Sequence, residues 1–61
     1  MGTTLRTIRN SRGLSLAQVA KATGISRSLL SLIETGQSDI TVGRLTRLAL
    51  LYEIRVAELV P

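Results

Sequence analysis

Sixty-one residues allow one domain, and a chain this small buries only about 60% of the surface its unfolded form exposes. Hydrophobic residues make up 44% of it, eleven of them leucine, with Tyr52 the sole aromatic; this favours a helical Leu/Ile/Ala core over a β-sandwich. There is no His and no Cys, which removes disulfide frameworks, the usual nucleophile–base pairs and zinc ligand sets, so we expect no enzyme, no metal and no cofactor. The net charge of +4 favours polyanions, but by itself it equally suits a soluble surface.

The first helix is expected over residues 3–12. Leu5 and Ile8 point inward, and Arg6, Arg9 and Arg12 recur every third residue along a neighbouring face. Gly13 stops it. Ser15 to Gln18 reads S-x-x-Q, a capping box, which places a second helix from about Leu16 to Thr23. The free amides at its start carry a partial positive charge that suits a phosphate.

Thr23-Gly24-Ile25 is a tight turn, with Gly24 in the left-handed conformation that a side chain penalises. Ser26 caps a third helix, which runs to about Thr35 and ends at Gly36. Leu30 and Ile33 share one face of it and point back at Val19 and Ala20, whose small side chain lets the two helices cross closely. A polar loop follows, anchored by Ile40. Thr41 caps a fourth helix, about Val42 to Tyr52, with Leu45, Leu48 and Ala49 inward and Gly43 weakening its first turn by up to ~1 kcal/mol. Ile54 then enters the core, and a final short turn from Val56 to Leu59 closes the fold. The expected fold is all-α: five helices, no strand, one domain over residues 1–61. Because the chain halts directly after its last core residue, we expect it to be the N-terminal piece of a longer protein.

Two features of the third helix carry the functional reading. Its outward side presents Arg27, Ser28, Ser31 and Leu32, a thin and mostly polar ridge with a cation near its start, suited to a DNA groove. Its last turn holds Glu34, where the helix dipole disfavours an anion, so a cation is expected to hold it there, and Arg9 is the candidate. The alternative is a frayed surface glutamate. Val42, Leu50 and Leu51 are more apolar than an exposed helix side requires; a dimer contact, a docked second domain or ordinary surface leucines each account for them.

The segment GLSLAQVAKATGIS-RSLLSLIETG, followed by ITVGRLTRLALLYEIRVAEL, resembles the lambda-repressor-like (Cro-repressor, or Xre-type) helix-turn-helix DNA-binding domains. The resemblance covers Leu5 to Leu59, and its specific part is the ordered set Arg9, Ala20, Gly24, Ser31, Glu34, Gly36, Leu45 and Ala49. It implies a compact five-helix domain with a central helix-turn-helix, in which the helix at about 26–35 lies in the major groove. Arg27, Ser28, Ser31 and Leu32 then face bases. Ser15, Leu16, Ser26, Gln37, Ser38, Thr41 and Arg44 fall where family members touch phosphates, and Arg9 and Glu34 match the family's structural ion pair.

The sequence departs from the family pattern at three positions. Leu16 stands where many members have a phosphate-bonding Gln, leaving only a backbone N–H. Glu53 replaces a frequent Gly and strains its turn by ~1 kcal/mol wherever φ is positive. Arg55 replaces a helix-capping Ser, loosening the last turn.

The individual residues leave choices open. Arg27 suits guanine O6 and N7 or a phosphate, and Leu32 suits a thymine methyl or a protein partner. Arg44 is expected near the DNA backbone, with Arg12 and Arg47 on solvated faces. The resulting expectation is a sequence-specific transcriptional regulator, a repressor, bound as a homodimer to a near-palindromic operator in double-stranded DNA. The dimer contact lies within this chain or in a region outside it. The alternative is a protein-interaction or antitoxin-like adaptor on the same fold, with weak or no DNA binding. RNA is disfavoured by the lack of stacking aromatics. No apolar run is long enough to span a bilayer and no signal-peptide core is present, so the expected location is cytoplasmic, nucleoid-associated when bound.

Overall fold

The computed structural model describes residues 2–59. Helix α1 spans Gly2–Ser11, α2 Leu16–Thr23, α3 Arg27–Glu34 and α4 Val42–Tyr52, and a single 3₁₀ turn covers Val56–Glu58. There is no strand among the described residues.

Helix starts follow local chemistry. Ser15 is extended, its hydroxyl accepts from the Gln18 N–H at 3.1 Å, and the Gln18 side chain accepts from the Ser15 N–H at 2.8 Å, which completes the capping box at α2. Ser26 and Thr41 cap α3 and α4 in the same manner, accepting from Leu29 and Arg44 N–H groups. Between α2 and α3 the chain reverses through Gly24 at φ 75°, and its N–H closes the end of α2 on the Ala20 carbonyl.

The five expected helices are corrected to four. The last element is a 3₁₀ turn of three residues, too short to close a turn of i→i+4 bonds. Its entry at Arg55 has no side-chain cap; instead the Glu58 carboxylate accepts from the Arg55 N–H at 2.9 Å.

The core is one cluster formed by Leu5, Val19, Ile25, Leu30, Ile33, Leu45, Leu48, Ala49, Tyr52 and Leu59. Burying each of its leucines fully contributes roughly 1.5–3 kcal/mol. Along α4 the stripe Leu45, Leu48, Ala49, Tyr52 follows i, i+3, i+4, i+7, the spacing of one helix face. The sequence reading stopped that stripe at Ala49. In the structure Tyr52 extends it and is 1% exposed, as deep as any leucine. Helix α3 packs on both α1 and α2, while α4 packs on α2 and the 3₁₀ turn. Held from two sides along its inward face, α3 keeps its other face free.

Candidate nucleic-acid interface

The inward face of α3 is filled by Leu30, Ile33 and Glu34, which are buried. The residues between them therefore point outward. Arg27, Ser28 and Ser31 are exposed, and Leu32, at 41%, is the one large apolar side chain left open on this helix. Together with Leu16 from the first turn of α2 they line an open depression of about 650 Å³. All four residues expected to face bases thus stand on one surface. Leu16, expected as a weak phosphate contact, joins them, with its body packed on the core.

The residues expected at phosphates form a rim of helix starts and a loop. Ser15, Ser26 and Thr41 each use a hydroxyl oxygen to accept from a helix N–H, which leaves the hydroxyl hydrogen free to donate. Gln37 is exposed, and its N–H is anchored 2.9 Å from the Leu32 carbonyl. The half-buried Ser38 turns its hydroxyl to the Asp39 carbonyl at 3.3 Å. Arg44 is exposed in the first turn of α4. Arg27, Arg44 and the amide-rich helix starts put positive charge on this side; Asp39 stands exposed in the loop, whereas Glu34 is held in an ion pair.

That pair explains how α3 is held. Arg9 Nε lies 2.7 Å from Glu34 Oε2 and Nη2 lies 3.0 Å from Oε1, a two-pronged bond between α1 and the last turn of α3. The third guanidinium nitrogen, Nη1, donates to the Leu14 carbonyl at 2.8 Å, so one side chain ties α1, the α1–α2 loop and α3 together. The side chains are 12% and 6% exposed. The hydrogen bonds that Arg9 donates to Glu34 raise its pKa above the usual value, against the opposing effect of burial. Burial pushes the nearby Tyr52 phenol up to about 12; Glu34 adds to the rise and Arg9 opposes it.

Sequence reasoning missed three placements here. The Arg9 bond to Leu14 gave no signal, because a loop carbonyl is invisible in side-chain spacing. Arg6 lines a smaller depression with Leu16, Ser31 and Thr35, which brings an exposed cation of α1, beside the paired Arg9, to the edge of the α3 face; its only sequence trace was the recurrence of arginine at every third position. Arg47 is exposed, as expected, but its guanidinium also stands 3.5 Å from the Thr23 carbonyl at the negative end of α2, a contact that gave no sequence signal.

Among the described residues no group of three or more His, Cys, Asp or Glu side chains is placed to hold a metal ion. No helix among them is long and apolar enough to cross a membrane.

The architecture, with a capped pair of short helices crossing at a left-handed glycine and a buried Arg–Glu clasp behind the second, matches known proteins. A family model described as a helix-turn-helix domain fits residues 1–60. The chain belongs to the helix-turn-helix domain family. Within it, the domain is 43% identical over 49 residues to the HTH-type transcriptional regulator SutR of Escherichia coli strain K12; the match takes in 80% of this chain and 28% of that regulator. The helix-turn-helix domain therefore spans less than a third of that relative's length. Its fold superposes on the crystal structure of the restriction-modification controller protein C.AhdI from Aeromonas hydrophila with a TM-score of 0.91 and 32% identity, covering 97% of this chain and 89% of the other. The Xre-type resemblance carried by Arg9, Gly24 and Glu34 thus extends to the whole helix-turn-helix domain.

Proposed function

We propose that this domain is a sequence-specific duplex-DNA-binding transcriptional regulator acting as a repressor, with α3 in the major groove. The observation that carries this reading is the open surface on which Arg27, Ser28, Ser31 and Leu32 stand together while the opposite side of α3 is sealed. The likenesses to a transcriptional regulator and to a controller protein support it. Arg27 meets guanine O6 and N7, and Ser28 and Ser31 donate to base edges or phosphates. Ser15, Leu16 through its N–H, Ser26, Gln37, Ser38, Thr41 and Arg44 fix the register on the sugar–phosphate backbone. Two copies set one helical turn apart, ~34 Å, read a near-palindrome, and occupancy of the operator blocks polymerase. Val42 and Leu50, 78% and 75% exposed on α4, offer apolar surface for the homodimer within this chain.

A salt series on two duplexes tests the reading, one selected from a random pool and one of scrambled sequence. With several phosphate contacts, log K falls steeply with log salt, and the selected duplex binds at least a thousandfold more tightly, about the lower bound for specific sites. Arg27→Ala relaxes preference at one position, whereas Arg44→Ala weakens all sequences alike. The second reading, a protein-interaction or antitoxin-like adaptor, is favoured by the apolar Leu16 and Leu32 on an otherwise polar face. Equal and weak binding of both duplexes at ~100 mM salt selects the adaptor instead.

A further inference from the structure

Two depressions adjoin at α2 and α3. The larger runs beside Arg27 and Ser28, the smaller beside Arg6 and Thr35, and Leu16 and Ser31 border both. Charge in the smaller one is unevenly committed. Glu34 is taken up by Arg9, and the Nε, Nη1 and Nη2 atoms of Arg9 all have carboxylate or carbonyl partners within 3.0 Å. The Arg9–Glu34 pair is therefore neutral as a unit, and Arg6 carries the net charge of this depression. Arg6 is exposed and, among the described residues, forms no ion pair.

A guanidinium with no protein partner presents a planar fork of donors that matches phosphate oxygens. Its neighbour in the depression, Leu16, has no donor on its side chain, so residue 16 can meet an anion only through its backbone N–H. We infer that Arg6 supplies the side-chain partner that Leu16 does not: it bonds a phosphate of the DNA strand that reaches the start of α2. The inference rests on the DNA-binding reading above and extends it, because it brings α1 into the interface, where the sequence placed Arg6 only on a helix face. It also separates Arg6 from Arg12, which is exposed just beyond the end of α1 and lines neither depression.

The test uses a duplex selected from a random pool, with Arg6→Gln as the variant and Arg12→Gln as its charge-matched control. Melting curves establish that each is folded. Arg6→Gln is expected to flatten the fall of log K with log salt by about 0.9, the counterion release of one phosphate. Relative to ~1 M salt, that slope weakens binding roughly eightfold at ~100 mM. Arg12→Gln is expected to keep the wild-type slope. A second series replaces each phosphate in turn by an uncharged methylphosphonate. Several replacements weaken binding of the wild type; one of them is expected to lose its effect in Arg6→Gln and to keep it in Arg12→Gln.

A wild-type salt slope in Arg6→Gln, or a phosphate series that is the same with and without Arg6, overturns this inference; a selected duplex that still outcompetes the scrambled one then leaves DNA binding standing. Equal flattening in Arg12→Gln assigns the effect to the net charge of the domain and also overturns it. If no duplex is preferred over any other, the DNA-binding reading and this inference fall together.

Discussion

The C-terminal ends of α3 and α4 use one hydrogen-bond scheme on different residues. After α3, Gly36 N–H bonds to the Ile33 carbonyl and Gln37 N–H to the Leu32 carbonyl; after α4, Glu53 N–H bonds to Leu50 and Ile54 N–H to Ala49. Both are Schellman closures, which require a left-handed residue at the turn. Gly36 takes φ 77° freely, whereas Glu53 takes φ 58° with a side chain, a conformation that disfavours non-glycine residues by about 1–2 kcal/mol. The half of the molecule that carries α2 and α3 therefore has its caps and turns met by suitable residues, although Glu34 opposes the helix dipole and Leu32 stays open. It has a capping box at α2, a serine cap at α3, glycine at the turns and a two-pronged ion pair behind them. The other half stores strain at Glu53, lacks a side-chain cap at Arg55 and leaves Val42 and Leu50 in solvent. Local economy is concentrated where α3 must be held still.

Substitutions can break or sharpen this contrast. The largest effect is expected at the clasp. Glu34→Ala leaves the Arg9 guanidinium buried without its partner and should lower stability by ~3–5 kcal/mol, more than any other acidic substitution in the chain. Thermal melting checks this, and an unchanged midpoint refutes the tie between α1 and α3. Next is the pair of turns. A Cβ at Gly36 meets no atom within 4 Å, so Gly36→Ala isolates the conformational penalty and should destabilise by roughly 1–2 kcal/mol.

At the equivalent place after α4 the sign reverses. Glu53→Gly should stabilise by up to ~1 kcal/mol, the relieved strain being partly offset by the greater freedom of glycine when unfolded. Denaturant midpoints for the two variants should move in opposite directions. Arg55→Ser, which offers the missing cap to the 3₁₀ turn, should add about 0.5 kcal/mol in the same assay, and a loss of stability would mean that the turn does not need that oxygen.

The smallest effect at neutral pH belongs to Tyr52→Phe, since the phenol is uncharged there. The folded pKa, about 12, lies above the ordinary 10.0, so the protonated phenol favours the folded state. That contribution is complete below pH 10.0 and is lost as pH rises towards 12. Over this alkaline window the wild type should lose stability faster than Tyr52→Phe.

The clearest instructions in the chain were short in range. The capping box at Ser15 and Gln18, the caps at Ser26 and Thr41 and the glycine at position 24 act within a few residues, so they place α2, α3 and the start of α4 without knowledge of the rest. The inward residues of α3 and the departure at Glu53 were likewise legible, because helical spacing and turn geometry depend on residue type alone. The final element, expected as a short turn from Val56 to Leu59 and counted as a fifth helix, is a 3₁₀ turn of three residues between Arg55 and Leu59.

By itself, then, the sequence determined four capped or glycine-ended helices, a polar outward ridge on the third and the need for a cation near Glu34. Tertiary structure decided what crosses between helices: the Arg9 bridge to the Leu14 carbonyl, the depth of Tyr52, and the lining of one depression by residues of both α2 and α3. The physical reason is separation along the chain. Caps and turns join neighbours whose spacing can be read directly, while contacts between helices depend on crossing angles that only the packed core sets.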